Sequence, residues 1–244
     1  MKFAVCTDKG LVRENNEDSY MIVEGTGLNP YAFIVADGMG GHNCGEVASK
    51  LTTEYISEAI INKNYFSTSD VNLESALRKL VEETNTEIYH KSQESAQYNG
   101  MGTTLTMAVI LNELMTVAHV GDSRLYQIRS GEITQITKDH SYIEELVRNG
   151  SLTREEAENH PQKNIITRAI GSSPELIVDI LNLHIMKNDV YILCTDGLTN
   201  KVSDNIITQT VQENEPEAAC NLLVEEAKRQ GGEDNITVIV IKCE

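Results

Sequence analysis

The sequence predicts an α+β layered fold, not a doubly wound parallel sheet. Three observations carry this. Apolar segments with a period of two come in consecutive runs joined by turn dipeptides, the pattern of antiparallel hairpins. Segments with a helical period come in pairs. Only four prolines punctuate 244 residues, and there is no Gly/Ser-rich linker or internal repeat. One domain over residues 1–244 is therefore expected.

Each element follows from its period. Residues 3–6, 20–23 and 31–36 read as short strands, the last apolar throughout. From His42 to about Asn62, the positions Val47, Leu51, Tyr55 and Ala59 recur every four residues and predict an amphipathic helix. Leu73, Leu77, Leu80, Val81, Thr84 and Ile88 lie on one face of a second helix. The period then switches to two. Leu105, Met107, Val109 and Leu111 alternate with Thr104, Thr106 and Ala108, Asn112-Glu113 makes a turn, and residues 114–120 return as a strand. Residues 125–129 and 132–136 read as another hairpin around Ser130-Gly131. Residues 140–160 read as polar helix, in which Thr153-Arg154-Glu155-Glu156 has capping-box form. Strands are expected at 176–183, 190–194 and 236–241, and helices at 206–211 and 218–228.

Composition narrows the function. Hydrophobic residues are 40% and charged residues 23%, as in ordinary globular proteins. Lys and Arg number 20 against 37 Asp and Glu, a net charge of −17 that argues against nucleic-acid or anionic-membrane binding. No apolar run approaches the roughly 18 residues of a membrane span. The start, Met1-Lys2-Phe3-Ala4-Val5-Cys6-Thr7-Asp8, turns polar too early for a secretory leader. The five cysteines are scattered, with no CxxC spacing, which suits reduced thiols in the cytoplasm. Cys6 and Cys194 sit in apolar runs as small core residues.

The informative pattern is aspartate at strand ends. Asp37 follows Phe33-Ile34-Val35-Ala36, Asp122 follows Val117-Ala118-His119-Val120-Gly121, and Asp196 follows Tyr191-Ile192-Leu193-Cys194-Thr195. Asp234 stands just before Asn235-Ile236-Thr237-Val238-Ile239-Val240. A single Asp-Gly usually marks a turn. Four carboxylates delivered to one sheet edge would repel each other and lose hydration, so something must neutralise them. Hard divalent cations with oxygen ligands do so, and an all-oxygen set favours Mg or Mn over Zn.

Arg13-x-x-Asn16-x-Asp18, Val35-Ala36-Asp37-Gly38-Met39-Gly40-Gly41-His42, Gly102-Thr103-Thr104, His119-Val120-Gly121-Asp122-Ser123-Arg124, Thr195-Asp196-Gly197 and Asp234-Asn235-Ile236-Thr237 occur in that order. This ordered series, from residue 13 to 237, resembles the motifs of the PPM or PP2C family of metal-dependent protein serine/threonine phosphatases, in its bacterial form. The resemblance implies a four-layer αββα sandwich of two largely antiparallel sheets flanked by helix pairs. It implies a core site for two Mn or Mg ions, with Asp37 bridging, the Gly38 carbonyl on one ion, and Asp196 and Asp234 on the other. Asp18 would act close by, mainly through water. A third divalent ion, held in bacterial relatives, would use Asp122 with Asp196. Arg13 would bind the substrate phosphate, and residues of about 139–166 would form a variable flap. Two such ions acidify a shared water towards hydroxide, which can attack phosphorus in line without a phosphoenzyme.

One departure stands out. Where some eukaryotic relatives carry a histidine directly after the Asp-Gly, this chain has Met39. His42 is the candidate general acid in its place; a metal-held water in that role, or a purely positioning role for His42, are the alternatives. His119 reads as a structural histidine, Asn235 as an organiser of the Asp234 loop, and Thr103 and Thr104 as supports. The resemblance also implies phosphoprotein substrates, an opposing Ser/Thr protein kinase and a cytoplasmic enzyme. The absence of a long apolar run predicts no membrane insertion, and a monomer is expected although no residue pattern specifies the oligomeric state. Rival chemistries lack their residues. No cysteine has Arg six places on, no histidine follows Asp by three, and there is no Gly-x-Ser-x-Gly, His-Glu-x-x-His or Walker loop. An inactive interaction module of the same fold and a hydrolase of small phosphate esters are the remaining alternatives.

Overall fold

Strand β3 (Tyr31–Met39) serves two cores at once, because successive side chains on a strand point to opposite faces. Phe33 and Val35 enter a core between two sheets, while Ala32 and Ile34 enter a core under helices. All four are fully buried. The computed structural model describes residues 1–25, 30–40, 44–62, 72–158 and 160–244.

One sheet runs β2-β3-β5-β6-β9, with β2 at Asp18–Val23, β5 at Leu105–Leu111, β6 at Leu114–Val120 and β9 at Asp179–His184. A two-residue strand, β4 (Gly102–Thr103), also pairs with β3. The other sheet runs β1-β11-β10-β7-β8, with β1 at Lys2–Asp8, β7 at Arg124–Arg129, β8 at Glu132–Gln135, β10 at Val190–Cys194 and β11 at Ile236–Lys242. The strand pairings are antiparallel. Helices α1 (Cys44–Asn62) and α2 (Leu73–Gln93) cover the first sheet, placing Ala48, Ile56, Leu77 and Leu80 against Ile34, Met107 and Val109. Helices α6 (Asp204–Glu213) and α7 (Pro216–Arg229) cover the second, where Ile207, Cys220, Leu223 and Val224 meet Ile192, Val238 and Val240. Between the sheets lie Phe33, Val117, Leu125, Tyr191, Leu193 and Ile239. This is the four-layer αββα order. No helix among the described residues is long and apolar enough to cross a membrane.

The structure corrects several local expectations. β3 does not end at Ala36: it continues through Asp37 to Met39, because Gly38 and Met39 find a partner in β4. The polar region 140–160 is two short helices, α3 (Tyr142–Arg148) and α4 (Arg154–Glu158), separated around Gly150, whose φ is +78°. β9 begins at Asp179, three residues later than its apolar run. A one-turn helix, α5 (Asp196–Thr199), follows β10 directly.

This topology positions the site. β2 and β11 begin, and β1, β3, β6 and β10 end, at the same edge of the sandwich, as the registers Asp8 with Ile236, Asp18 with Asp37 and Cys194 with Val238 require. A cavity of about 520 Å³ opens at the opposite edge, lined by Met1, Tyr31, Leu111, Lys187 and Cys243 among others, and is remote from the aspartates.

Candidate metal centre

Five aspartates converge at the common edge. Asp18 opens β2 directly across from Asp37 on β3. Asp122 follows β6, Asp196 is the first residue of α5, and Asp234 stands two residues before β11. Burial drives the Asp37 carboxyl well above its ordinary range, and the fields of Asp18, Asp196, Asp122 and Asp234 add to that. The same desolvation pushes Asp18 up to about 7. Burial lifts Asp122 to about 8, with Asp196 and Asp139 adding to it. Burial likewise lifts Asp196 to about 6, and the field of Asp234 adds to it.

Local hydrogen bonds hold these groups in place. Asp18 Oδ2 accepts from the hydroxyls of Thr195 (2.8 Å) and Thr237 (2.7 Å). Asp196 Oδ2 accepts from Asn200 Nδ2 at 2.9 Å, one turn along α5. The backbone of Asp37 is fixed by Thr104: the Asp37 amide donates to Thr104 Oγ1 (2.9 Å) and the Asp37 carbonyl accepts from the Thr104 amide (2.9 Å). Asn235 organises the neighbouring loops by donating to the carbonyls of Lys9 and Asn15, both at 2.9 Å, and accepting the Glu17 amide at 2.7 Å. Both Asp-Gly glycines are demanded by close backbone approach. A Cβ on Gly38 would lie 2.2 Å from the Gly45 carbonyl oxygen, and one on Gly197 would lie 2.0 Å from that of Asn235.

Arg13 stands at the mouth. Its Nη2 donates to Asp234 Oδ2 at 2.8 Å, with half of the side chain exposed. A cleft of about 230 Å³ between β2 and α1 is lined by Asn16, Asp18, Glu46, Ser49 and Lys50 among others. His42 lies outside the described residues. His119 is a structural residue, as expected: it is fully buried, its Nε2 donates to the Lys138 carbonyl at 3.0 Å, and its Nδ1 meets the Thr106 hydroxyl at 2.9 Å.

Among the described residues no three His, Cys, Asp or Glu side chains stand ready to grip an ion without adjustment. The carboxylates are partly turned onto protein donors instead. The donor chemistry nevertheless fits hard divalent cations. Asp18 Oδ1, Asp122 Oδ1 and Asp196 Oδ1 are buried with no hydrogen-bond partner. An unpaired buried carboxylate oxygen is costly, and a divalent cation is the partner that satisfies several at once.

A model of the protein phosphatase 2C family matches residues 12–225. The chain belongs to that family. It is 37% identical over 237 residues to the serine/threonine phosphatase stp of Listeria monocytogenes, covering 97% of this chain and 93% of the relative. It is 38% identical over 242 residues to the protein phosphatase PhpP of Streptococcus pneumoniae, covering 99% and 97%. Among solved structures, Stp1 of Staphylococcus aureus superposes with a TM-score of 0.93 at 37% identity, covering 99% of this chain and 94% of that one. The catalytic domain of PstP, solved with two manganese ions, superposes with a TM-score of 0.86 at 35% identity, covering 100% and 98%. Membership makes this chain a metal-dependent phosphatase of the bacterial PP2C type.

Three features of the PP2C site lie beyond what the motifs predict. Thr195 and Thr237 hold Asp18, Asn200 holds Asp196, and Arg124 forks onto Asp139 with 3.0 and 2.7 Å bonds beside Asp122. The signal for Asn200 is its place four residues after Asp196 in a helix. Thr195 and Thr237 stand inside the Thr195-Asp196-Gly197 and Asp234-Asn235-Ile236-Thr237 motifs, but nothing in the motifs assigns them to Asp18.

Proposed function

We propose that this PP2C protein hydrolyses phosphoserine and phosphothreonine monoesters in other proteins of the cytoplasm, opposing a serine/threonine kinase. One observation carries the reading: an edge of five aspartates, three with an unpaired buried oxygen, faced by Arg13. In this reading Asp37, the Gly38 carbonyl, Asp196 and Asp234 hold two Mn or Mg ions, Asp18 supports them, and Asp122 with Asp196 holds a third. When bound, the ions supply Lewis-acid activation of water and of the phosphate oxygens.

The chain's own residues do the rest. Two divalent ions balance four carboxylates, so the centre does not repel a phosphate dianion. Arg13 keeps its guanidinium at the mouth through one bond to Asp234, leaving its other donors for a charge-assisted, bidentate grip on the phosphate. Thr195 and Thr237 hold Asp18 in one orientation, and Asn200 does the same for Asp196. His42 is the candidate proton donor to the leaving alkoxide. The segment 139–166, within a single catalytic domain, forms the wall beside the site.

The test is hydrolysis of phosphothreonine peptides in parallel with an aryl phosphate. Activity is expected to vanish with a chelator and to return with Mn or Mg. Turnover surviving metal removal overturns the metal-dependent reading. A kcat/KM higher for small phosphate esters than for every phosphopeptide and phosphoprotein tried overturns the substrate class.

A further inference from the structure

Asp122 is held from both sides by its neighbours in sequence. On one side Ser123 is tied into the first sheet: its hydroxyl meets Thr104 Oγ1 at 2.8 Å and its carbonyl accepts from Thr106 Oγ1 at 2.9 Å. On the other side Gly121 is tied to His140, at the root of the 139–166 segment. The Gly121 amide donates to His140 Nδ1 at 3.0 Å, and the His140 amide donates to the Gly121 carbonyl at 2.7 Å. The His140 carbonyl in turn accepts from the Thr167 amide at 2.8 Å, so both roots of the segment meet there.

The His140 ring is buried and fully engaged. It lies 4.8 Å from the His119 ring, and its Nε2 is 3.3 Å from Asp179 Oδ2. Because Nδ1 accepts a backbone N–H, the ring proton sits on Nε2, facing Asp179. Arg168 Nη1 donates to the other Asp179 oxygen at 3.1 Å and also lies 3.3 Å from His140 Nε2; with the ring proton on Nε2 both donors share the Asp179 carboxylate and neither accepts from the other. This is more than a packed core histidine requires, since one of its two ring bonds is spent on the residue next to Asp122.

We propose that His140 is a positioning residue: its Nδ1 fixes the Gly121 backbone, and through it the Asp122 carboxylate, tying the root of the 139–166 segment to the third cation site. The proposal rests on the reading that Asp122 holds an ion. It concerns the segment's root and its coupling to one ion, and gives His140 no contact with substrate.

Two substitutions separate the two ring bonds. His140→Asn keeps an acceptor near the Gly121 amide but is too short for Asp179. His140→Gln reaches Asp179 but offers Gly121 no acceptor at the Nδ1 position. The measurement is Mn binding to the whole protein by calorimetry and electron paramagnetic resonance, without substrate. The weakest Mn ion is expected to bind about 10-fold or more weakly in His140→Gln and within about 3-fold of wild type in His140→Asn, with the two tighter ions unchanged in both. Wild-type affinity in His140→Gln, or equal loss in both variants, overturns the proposal. Asp122→Asn separates the two readings. If it leaves all Mn binding intact, the assignment of Asp122 fails. If it abolishes the weakest site while His140→Gln retains it, only the positioning role fails. Should His140→Gln not fold, amide exchange at Gly121 in the wild type decides. Protection that rises as the weakest ion is titrated in supports the coupling, and protection that stays flat overturns it.

Discussion

Asp18 and Asp196 each have one oxygen on a protein donor and one buried oxygen without a partner, and Asp122 likewise keeps an unpartnered Oδ1. That division is how a residue can be fixed in orientation and still be a ligand: the bonded oxygen sets the direction and the other is presented. It also makes the aspartates costly, because each is desolvated beside like charge. Asp196→Asn should therefore behave unlike most substitutions of a buried residue. The amide can still accept from Asn200, and a negative charge next to Asp37 and Asp234 disappears. We expect the metal-stripped protein to melt no lower than wild type. The melting gain on adding Mn should shrink and kcat on phosphopeptide should fall at least about 100-fold if Asp196 holds an ion as proposed. Thermal melts with and without chelator, alongside steady-state rates, check all three. A metal-stripped melt several degrees below wild type would mean that Asp196 supports the fold and not just the site.

Elements long enough to show a period are legible in the amino-acid sequence, and those too short are not. α2 is readable because Leu73, Leu77, Leu80 and Ile88 span several turns, and all but Leu73 are buried. The β7–β8 hairpin is readable because Ser130-Gly131 supplies the two positive φ values, 54° and 88°, of a tight turn. β4 and α5 have two and four residues, too few to carry any period, yet they extend β3 past Asp37 and place Asp196. So the aspartates, and Thr104 and Asn235 as their supports, can be found from the order of the motifs along the chain, but that Thr195 and Thr237 orient Asp18 cannot, because that contact joins segments that lie far apart in sequence. The capping box of α4 is legible and is formed. Thr153 Oγ1 accepts the Glu156 amide at 3.2 Å, and Glu156 Oε2 accepts the Thr153 amide at 2.9 Å. Since α4 is exposed, apart from half-buried Ala157, over its described positions, the cap supports this element alone. Thr153→Ala should cost local order of about 1 kcal/mol, seen as faster amide exchange over 154–158. The global melting temperature should stay within about one degree of wild type; a larger drop would show that α4 is part of the cooperative core.

At the scale of the whole molecule, the buried histidine between the site and the 139–166 root puts a pH dependence into the stability of the fold. His119 is fully buried on β6, and desolvation lowers it to about 4, with the neighbouring His140 adding to the effect. In the unfolded chain it titrates near 6.5. Between those values the unfolded state binds a proton that the native state refuses, so stability falls as pH drops below about 6.5 and levels off near 4. From pH 7 to pH 5 this one group removes about 2 kcal/mol, and about 3 kcal/mol at the lower limit. The clustered aspartates act in the opposite sense. Their raised values mean that the native state takes up extra protons as pH falls, which relieves their repulsion. A raw acid-unfolding curve mixes these contributions with that of His140, which burial also lowers, so the His119 contribution must be taken as a difference. His119→Gln keeps a donor for the Lys138 carbonyl and removes the titration. Urea unfolding at pH 7 and pH 5 should show wild type losing about 2 kcal/mol more than His119→Gln over that interval. Equal losses in the two proteins would mean that His119 is charged in the native state, and that its ring is not the neutral donor its contacts with Lys138 and Thr106 imply.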